Sequence, residues 1–236
     1  PPRSTPKPSS AASDVYKRQV HSCYSSCSNL KPKTILKIAR RLELDGIAIT
    51  DHNTIKGGLA VKKENKEKGF EVIVGEEIST NRGEVIGLYL NEEIEKGTDF
   101  FEAIDLIKHR GGLVVIPHPF SFGLIRKSVS SLNAVRSKID AIECFNGRCF
   151  FPWENSKAKK LAEKFNIACT AGSDAHFWFE LGNCITMFEK KFSLIEAIRK
   201  KKTFVAGTIK CAYLGRGLSL IVKVYQNFFK NGKGID

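Results

Sequence analysis

The sequence predicts an α/β barrel, a ring of parallel strands wrapped by helices. From residue 20 onward, short apolar runs of buried-strand length alternate with segments of helical periodicity, the pattern of repeated strand–helix units joined by right-handed crossovers. The residues best suited to chemistry stand just past the C-terminal ends of successive strands: Asp51 and His52, Glu76 and Glu77, His118, Glu143, then Asp174 and His176. An open sheet would gather its chemistry at one switch point, whereas a barrel rim collects it from every strand. A length of 236 residues suits one such domain.

The elements follow in order. Pro32–Leu44 carries Ile35, Leu36, Ile38, Ala39 and Leu42 at helical spacing and leads into the strand Gly46–Thr50. A helix over 57–69 precedes the strand Glu71–Gly75; a turn at Asn81–Gly83 then returns the chain into the strand Glu84–Leu90. A helix over 99–110 pairs with a strand over 113–117, and a strand over 139–145 is followed by a helix over 155–166 and a strand over 167–171. A helix covers Leu194–Lys202, and Leu218–Phe229 has apolar residues spaced for a last helix packed on the barrel.

The start of the chain breaks this order. Residues 1–14 are rich in Pro, Ser and Ala with almost no large apolar side chain, which predicts disorder. Asp14–Gln19 puts Lys17, Arg18 and Gln19 where a core strand is due, so residues 1–19 read as a disordered or foreign segment that disrupts the first strand. The net charge of +13 is concentrated at the ends, +3 in residues 1–19 and +8 in 199–236. Charge so placed suits solvated tails, and the chain lacks the aromatic–basic interleaving of a single-strand nucleic-acid platform.

Composition excludes several classes. An apolar fraction of 42% with 27% charged residues is globular rather than disordered or fibrous. There is no run of 18 uncharged apolar residues, so no membrane span is expected. Seven cysteines without a C-x-x-C pair indicate neither a disulfide framework nor a zinc ribbon, and Cys23 and Cys27 read as small packing residues. With no leader pattern at the start, the expected location is cytoplasmic.

Four of the five histidines sit in a compact grammar, H21-S-C-Y-S-S, T50-D-H, I116-P-H-P and G172-S-D-A-H, while His109 lies on a helix. Imidazole and carboxylate are the donors that zinc, manganese and iron take, and the two ligands of Asp174-Ala-His176 project to one side of an extended segment. Each motif alone also suits a structural role: Asp51 and Asp174 as helix caps, His118 between prolines as a turn former. Their convergence on one rim carries the inference of a metal centre.

In the order H-S-x-Y-S-x-C-S, D-G-I-A-I-T-D-H-N-T, G-E-E-I-S-T, P-H-P, I-E-C-F-N-G-R and T-A-G-S-D-A-H, the chain resembles the PHP family, named for polymerase and histidinol phosphatase, over residues 20–208. The resemblance implies a distorted (β/α)7 TIM-like barrel with two, at most three, divalent ions at its C-terminal rim, manganese or zinc with iron as an alternative. It implies phosphoester hydrolysis by a metal-activated water. By position, the implied metal ligands are His21, His52, Glu77, His118, Glu143, Asp174 and His176, with Asp51 either a further ligand or a residue that orients one. Asp51 and His176 are expected in catalytic roles, and Arg148, beside Asn146 on the rim, suits either contact with a substrate phosphate through its planar guanidinium or a surface salt bridge. Glu143 has a second reading, as an ion-pair partner of Arg148.

The chain departs from the family at three places. Gln19 stands where the opening H-x-H pair has its first histidine, Ser26 where many members have aspartate, and the strand 84–90 lacks a histidine that many carry. The expected function is hydrolysis of a phosphomonoester or a nucleotide or oligonucleotide-end phosphate, with a small phosphorylated metabolite or nucleotide as partner and no stable membrane association. The alternatives are a histidinol-phosphatase-like enzyme and a catalytically weakened metal- or nucleic-acid-binding module. The expected organisation is the segment 1–19, the hydrolase domain 20–208 and a C-terminal extension 209–236.

Overall fold

The computed structural model of the protein describes residues 13–121 and 132–230. Its strands are β1 (Ser13–Val20), β2 (Gly46–His52), β3 (Glu71–Thr80), β4 (Gly83–Leu88), β5 (Leu113–Ile116), β6 (Ala141–Asn146), β7 (Ala168–Gly172), β8 (Cys184–Glu189) and β9 (Phe204–Gly207). The helices are α1 (Pro32–Arg41), α2 (Lys56–Glu64), α3 (Phe100–His109), α4 (Pro152–Phe165), α5 (Leu194–Arg199) and α6 (Ala212–Lys230).

All nine strands form one sheet in the order β7-β6-β5-β4-β3-β2-β1-β8-β9. The sheet curls until its two ends nearly meet: Ala171 N donates to Thr186 Oγ1 at 2.9 Å, and Thr203 Oγ1 donates to the Cys169 carbonyl at 2.6 Å. The result is a nearly closed α/β barrel. Its pairing is mixed rather than uniformly parallel. β1-β2-β3 and β5-β6-β7 are parallel, but β4 runs antiparallel between β3 and β5 because Asn81-Arg82 makes a tight hairpin with Thr80 opposite Gly83. β8 and β9 are likewise antiparallel to their neighbours.

The segment expected to lie outside the fold corrects that expectation from residue 13 onward. Ser13–Val20 is the strand β1, parallel to β2 and antiparallel to β8, with an irregular register between Lys17 and Val20 and Gln19 at φ 55°. Backbone pairing on both edges holds it, so the polar composition of the stretch does not exclude it from the sheet. Tyr16 supplies a buried anchor whose ring lies 5.1 Å from Phe188. The expectation for residues 1–12 falls outside the described residues.

Strand parity sets the interior. Ala48 and Ile73, paired in register, point into the barrel with Leu88, Val115, Ala141 and Ala168, whereas Ile47, Ile49 and Val72 pack outward against Ile35, Leu36 and Ala39 of α1. On the other side Phe100, Ile104 and Ile107 of α3 bury against Val74, Val85, Val114 and Ile116. Each of the buried Val, Leu, Ile and Phe side chains stabilises the fold by about 1.5–3 kcal/mol relative to exposure.

The C-terminal helix differs from expectation. Leu214, Leu220, Ile221 and Tyr225 are 60% exposed or more, while Ala212 is buried, the Tyr213 ring meets Phe150, and Arg216 and Ser219 make polar contacts with the barrel. Among the described residues no helix is long and apolar enough to cross a membrane.

Candidate metal centre

The parity that places Ala48 and Ile73 inside the barrel also sends His52 and Glu77 inward, since each pair is separated by an even number of positions and His52 stands opposite Glu77 in the register. Glu143 follows Ala141 on β6 in the same way. His21 leaves β1 through a backbone bond from its N–H to the Ala175 carbonyl at 2.9 Å. Ser28 Oγ donates to the carbonyls of His21 and His176 at 2.8 and 2.9 Å, tying the two loops together. His118 and Asp174 stand just beyond β5 and β7 with φ of 25° and 50°, a left-handed backbone that the surrounding structure must enforce.

These side chains meet. His21 Nε2 lies 3.3 Å from both Glu77 Oε2 and Asp174 Oδ1; His52 Nδ1 lies 3.3 Å from the same Glu77 oxygen. The other Glu77 oxygen faces His118 Nε2 at 3.1 Å. The imidazoles of His21 and His52 stack with centroids 4.4 Å apart, and those of His21 and His176 at 4.3 Å. His21, Glu77 and Glu143 are buried, while His52, 30% exposed, opens the cluster to solvent.

The electrostatics are those of mutually compensating charges. Burial alone would raise Glu77, but the imidazoles of His52, His118 and His21 hold it below the ordinary carboxylate value. Burial likewise opposes ionisation of Asp174, yet the neighbouring imidazole of His21, then His176 and the Arg148 guanidinium, bring it well below its ordinary value. Burial and His52 press His21 down, while Asp174 and Glu77 carry it above the ordinary imidazole value. Burial, with His21 and Arg148 nearby, holds His176 well below it. Glu143 is pushed up to about 7 by burial.

The donor set fits divalent cations. His21 Nε2 and Glu77 Oε2 are buried without a hydrogen-bond partner, although 3.3 Å apart, so both keep lone-pair or proton capacity directed at a shared point. Donor atoms about 2.1 Å from one ion stand about 3.0–3.4 Å apart, the spacing found here. Among the described residues, two overlapping groups have donor atoms within 4.8 Å of one another: His21, His52 and His176, and His52, Glu77 and Glu84.

Other residues singled out from sequence take different places. Asp51 points to the outside of the barrel, one position out of phase with His52, and its carboxylate accepts from Ser22 N, Ser22 Oγ and Ser25 Oγ at 2.6–2.7 Å. Asn146 Nδ2 donates to Glu143 Oε2 at 2.9 Å and Gln19 Oε1 at 3.2 Å, beneath the cluster. Arg148 is 6% exposed, and the carboxylate it meets is Glu180 at 3.0 Å, which replaces the expected Glu143 pairing. Sequence reasoning missed Glu84, whose Oε1 stands 4.0 Å from His52 Nδ1; its position opposite Ser79 on β4 was the available signal. It also missed Glu180, which accepts from the backbone of His176 and Phe177 at 2.8 and 3.1 Å.

Comparison with known proteins follows this geometry. The PHP domain family model matches residues 18–113, and the PHP-associated model PHP_C matches residues 152–203. Protein MJ0417 of Methanocaldococcus jannaschii is 38% identical over 176 residues, covering 72% of this chain and 69% of that protein. The chain belongs to the PHP family. A second protein of that organism, MJ1587, is 53% identical over 91 residues, which is 39% of this chain and 53% of the relative, so the chain spans about half of MJ1587. Among solved structures, a two-domain Bacteroides vulgatus protein containing a predicted PHP-like metal-dependent phosphoesterase superposes with a TM-score of 0.70 at 18% identity, covering 84% of this chain and 66% of that one. That likeness shows the PHP fold, a TIM-like α/β barrel.

Proposed function

We propose that this PHP protein is a hydrolase that cleaves a phosphomonoester of a small phosphorylated metabolite or nucleotide in the cytoplasm, using two divalent ions, manganese or zinc, held by His21, His52, Glu77, His118, Asp174 and His176. The observation that carries the reading is the pair of buried, unpartnered atoms His21 Nε2 and Glu77 Oε2, set 3.3 Å apart with Asp174 and His52 at the same distance. Divalent ions bound there would supply an acidified water and neutralise charge on phosphoryl oxygens.

The chain's own groups do the rest. Glu77, ionised by its three imidazole neighbours, presents one oxygen to His21 and His52 and the other to His118, so one carboxylate spans two halves of the cluster. His52 is the exposed member, which supports an approach of substrate from its side. Burial of the others excludes water from their lone pairs and strengthens their field on a bound anion.

The test begins with metal-free protein. Manganese or zinc titration takes up at least two equivalents and switches on hydrolysis of a chromogenic aryl phosphate; Glu77→Gln abolishes both. No uptake and no turnover in the parent protein defeats the proposal. Uptake without turnover favours a second reading, a metal-binding module, for which Gln19 at a ligand position is the specific support: its side chain already bonds Glu77 and Asn146.

A further inference from the structure

The helix α6 lies beyond both matched family segments, which end at residue 203. It is seated on the barrel by polar contacts. Arg216 Nε donates to the Arg148 carbonyl at 2.7 Å and its Nη2 to Ser121 Oγ at 3.2 Å, while its guanidinium covers the Phe150 ring at 4.4 Å. Ser219 Oγ, buried, accepts from Arg148 Nη2 at 2.8 Å. Gly215 comes so close to Glu180 that a Cβ there would fall 1.7 Å from Oε1, so a larger residue would push that carboxylate aside.

Arg148 is thereby fixed from several directions and passes its position on. Its Nη1 lies 2.7 Å from His176 Nδ1, and its Nε lies 3.0 Å from Glu180 Oε1, whose partner oxygen holds the His176 backbone N–H. The same ring nitrogen of His176 is 2.8 Å from the Asp174 carbonyl. Ring orientation at a metal-ligating histidine is set by the group that meets its other nitrogen. A helix retained for burial would turn its apolar residues inward. This one buries Ala212 and half-buries Leu218 and Val222, but turns Leu220, Ile221 and Tyr225 to solvent and gives the barrel Arg216 and Ser219.

We infer that α6 is a working part of the metal centre: Ser219 and Arg216 are positioning residues that, through Arg148, fix the imidazole of His176. This rests on the reading of His176 as part of a metal-dependent active site, so the experiment has one readout that needs no catalysis. In metal-free protein labelled with 15N-histidine, Ser219→Ala shifts the His176 ring-nitrogen signals while the melting temperature stays close to the parent's, and Ser219→Thr restores them. In the metal-loaded protein the same substitution lowers kcat for an aryl phosphate roughly tenfold with KM within about twofold, the effect of losing one charged hydrogen bond. If Ser219→Ala fails to fold, Arg216→Lys, which removes the Nε bond to the Arg148 carbonyl, shifts the same signals. Unchanged His176 signals in a folded variant overturn the inference. If the parent shows no hydrolysis, the proposed function fails, and the ring-nitrogen signals still decide the positioning role.

Discussion

Gln19 Nε2 donates to Glu77 Oε1 at 3.1 Å, the same oxygen that His118 Nε2 approaches at 3.1 Å. An amide thus stands at the flank of the carboxylate on which the cluster is centred. Amides are weaker donors to transition ions than imidazole. Histidine is among the residues that tolerate a left-handed backbone such as the φ of 55° at position 19. Gln19→His therefore tightens binding of the less tightly held ion at least about tenfold, as for a supporting group restored to a site. Equilibrium dialysis with metal analysis checks it, and unchanged affinity contradicts it.

Asp51 tests scaffold against chemistry. Its three hydrogen bonds hold Ser22 and Ser25, and Ser25 Oγ in turn accepts from His52 N at 3.0 Å. Asp51→Ala strands these buried groups and lowers stability by about 3 kcal/mol. Asp51→Asn keeps an acceptor and retains turnover within about tenfold of the parent. Denaturant melts and kinetics measure the two; loss of all turnover in a stable Asn variant would instead make Asp51 a direct participant.

Gly172 lies under Glu143. A Cβ there would fall 1.6 Å from Glu143 Oε1 and 2.5 Å from Gln19 Oε1. Gly172→Ala destabilises the protein by about 1–3 kcal/mol through overpacking. Pairing it with Glu143→Ala returns part of that loss, a non-additivity that a double-mutant cycle in urea reads directly. Strict additivity would mean that the two side chains do not compete for the space.

Asp99 governs the start of α3. Asn81 Nδ2 and Phe101 N donate to its two carboxylate oxygens at 2.8 Å each, and these bonds lower its pKa below the ordinary 3.8. A carboxylate depressed on folding stabilises the protein above its unfolded pKa, and that contribution disappears as pH falls through the folded value. Asp99→Ala melts at a lower temperature than the parent at neutral pH. The gap narrows below about pH 3.8, where protonation weakens the cap in the parent as well. Thermal melts across pH follow it, and a gap that widens in acid would reverse the assignment.

Much of the site was legible because strand periodicity and ligand chemistry coincide at the barrel rim. The alternation that selects His52 over Asp51 and Glu77 over Glu76 is visible in the sequence: Ile47 and Ile49 share a face with Asp51, and Ala48 shares one with His52. Glu76 is on the outward face and accepts from Ile94 N. Less legible was β1, where Lys17, Arg18 and Gln19 occupy a strand whose neighbours on both edges decide its state. β8 and β9 are short and join by antiparallel pairing, and Phe204 on β9 is 62% exposed, so neither carries a strong apolar run. The polar seat of α6 depends on groups more than 60 positions apart, such as Arg148 with Ser219, which no local pattern announces.

The pairing of β1 with β8, which brings Ser13 opposite Glu189, sets the order in which the protein can be made. A chain emerging from the ribosome presents β1 as a bare edge until residues 184–189 appear, and by then His176 has only just joined its partners. Such long-range closure is slow, on the order of milliseconds to seconds, and leaves an adhesive edge exposed meanwhile. Yield from recombinant expression should accordingly rise with a chaperone that shields nascent strands.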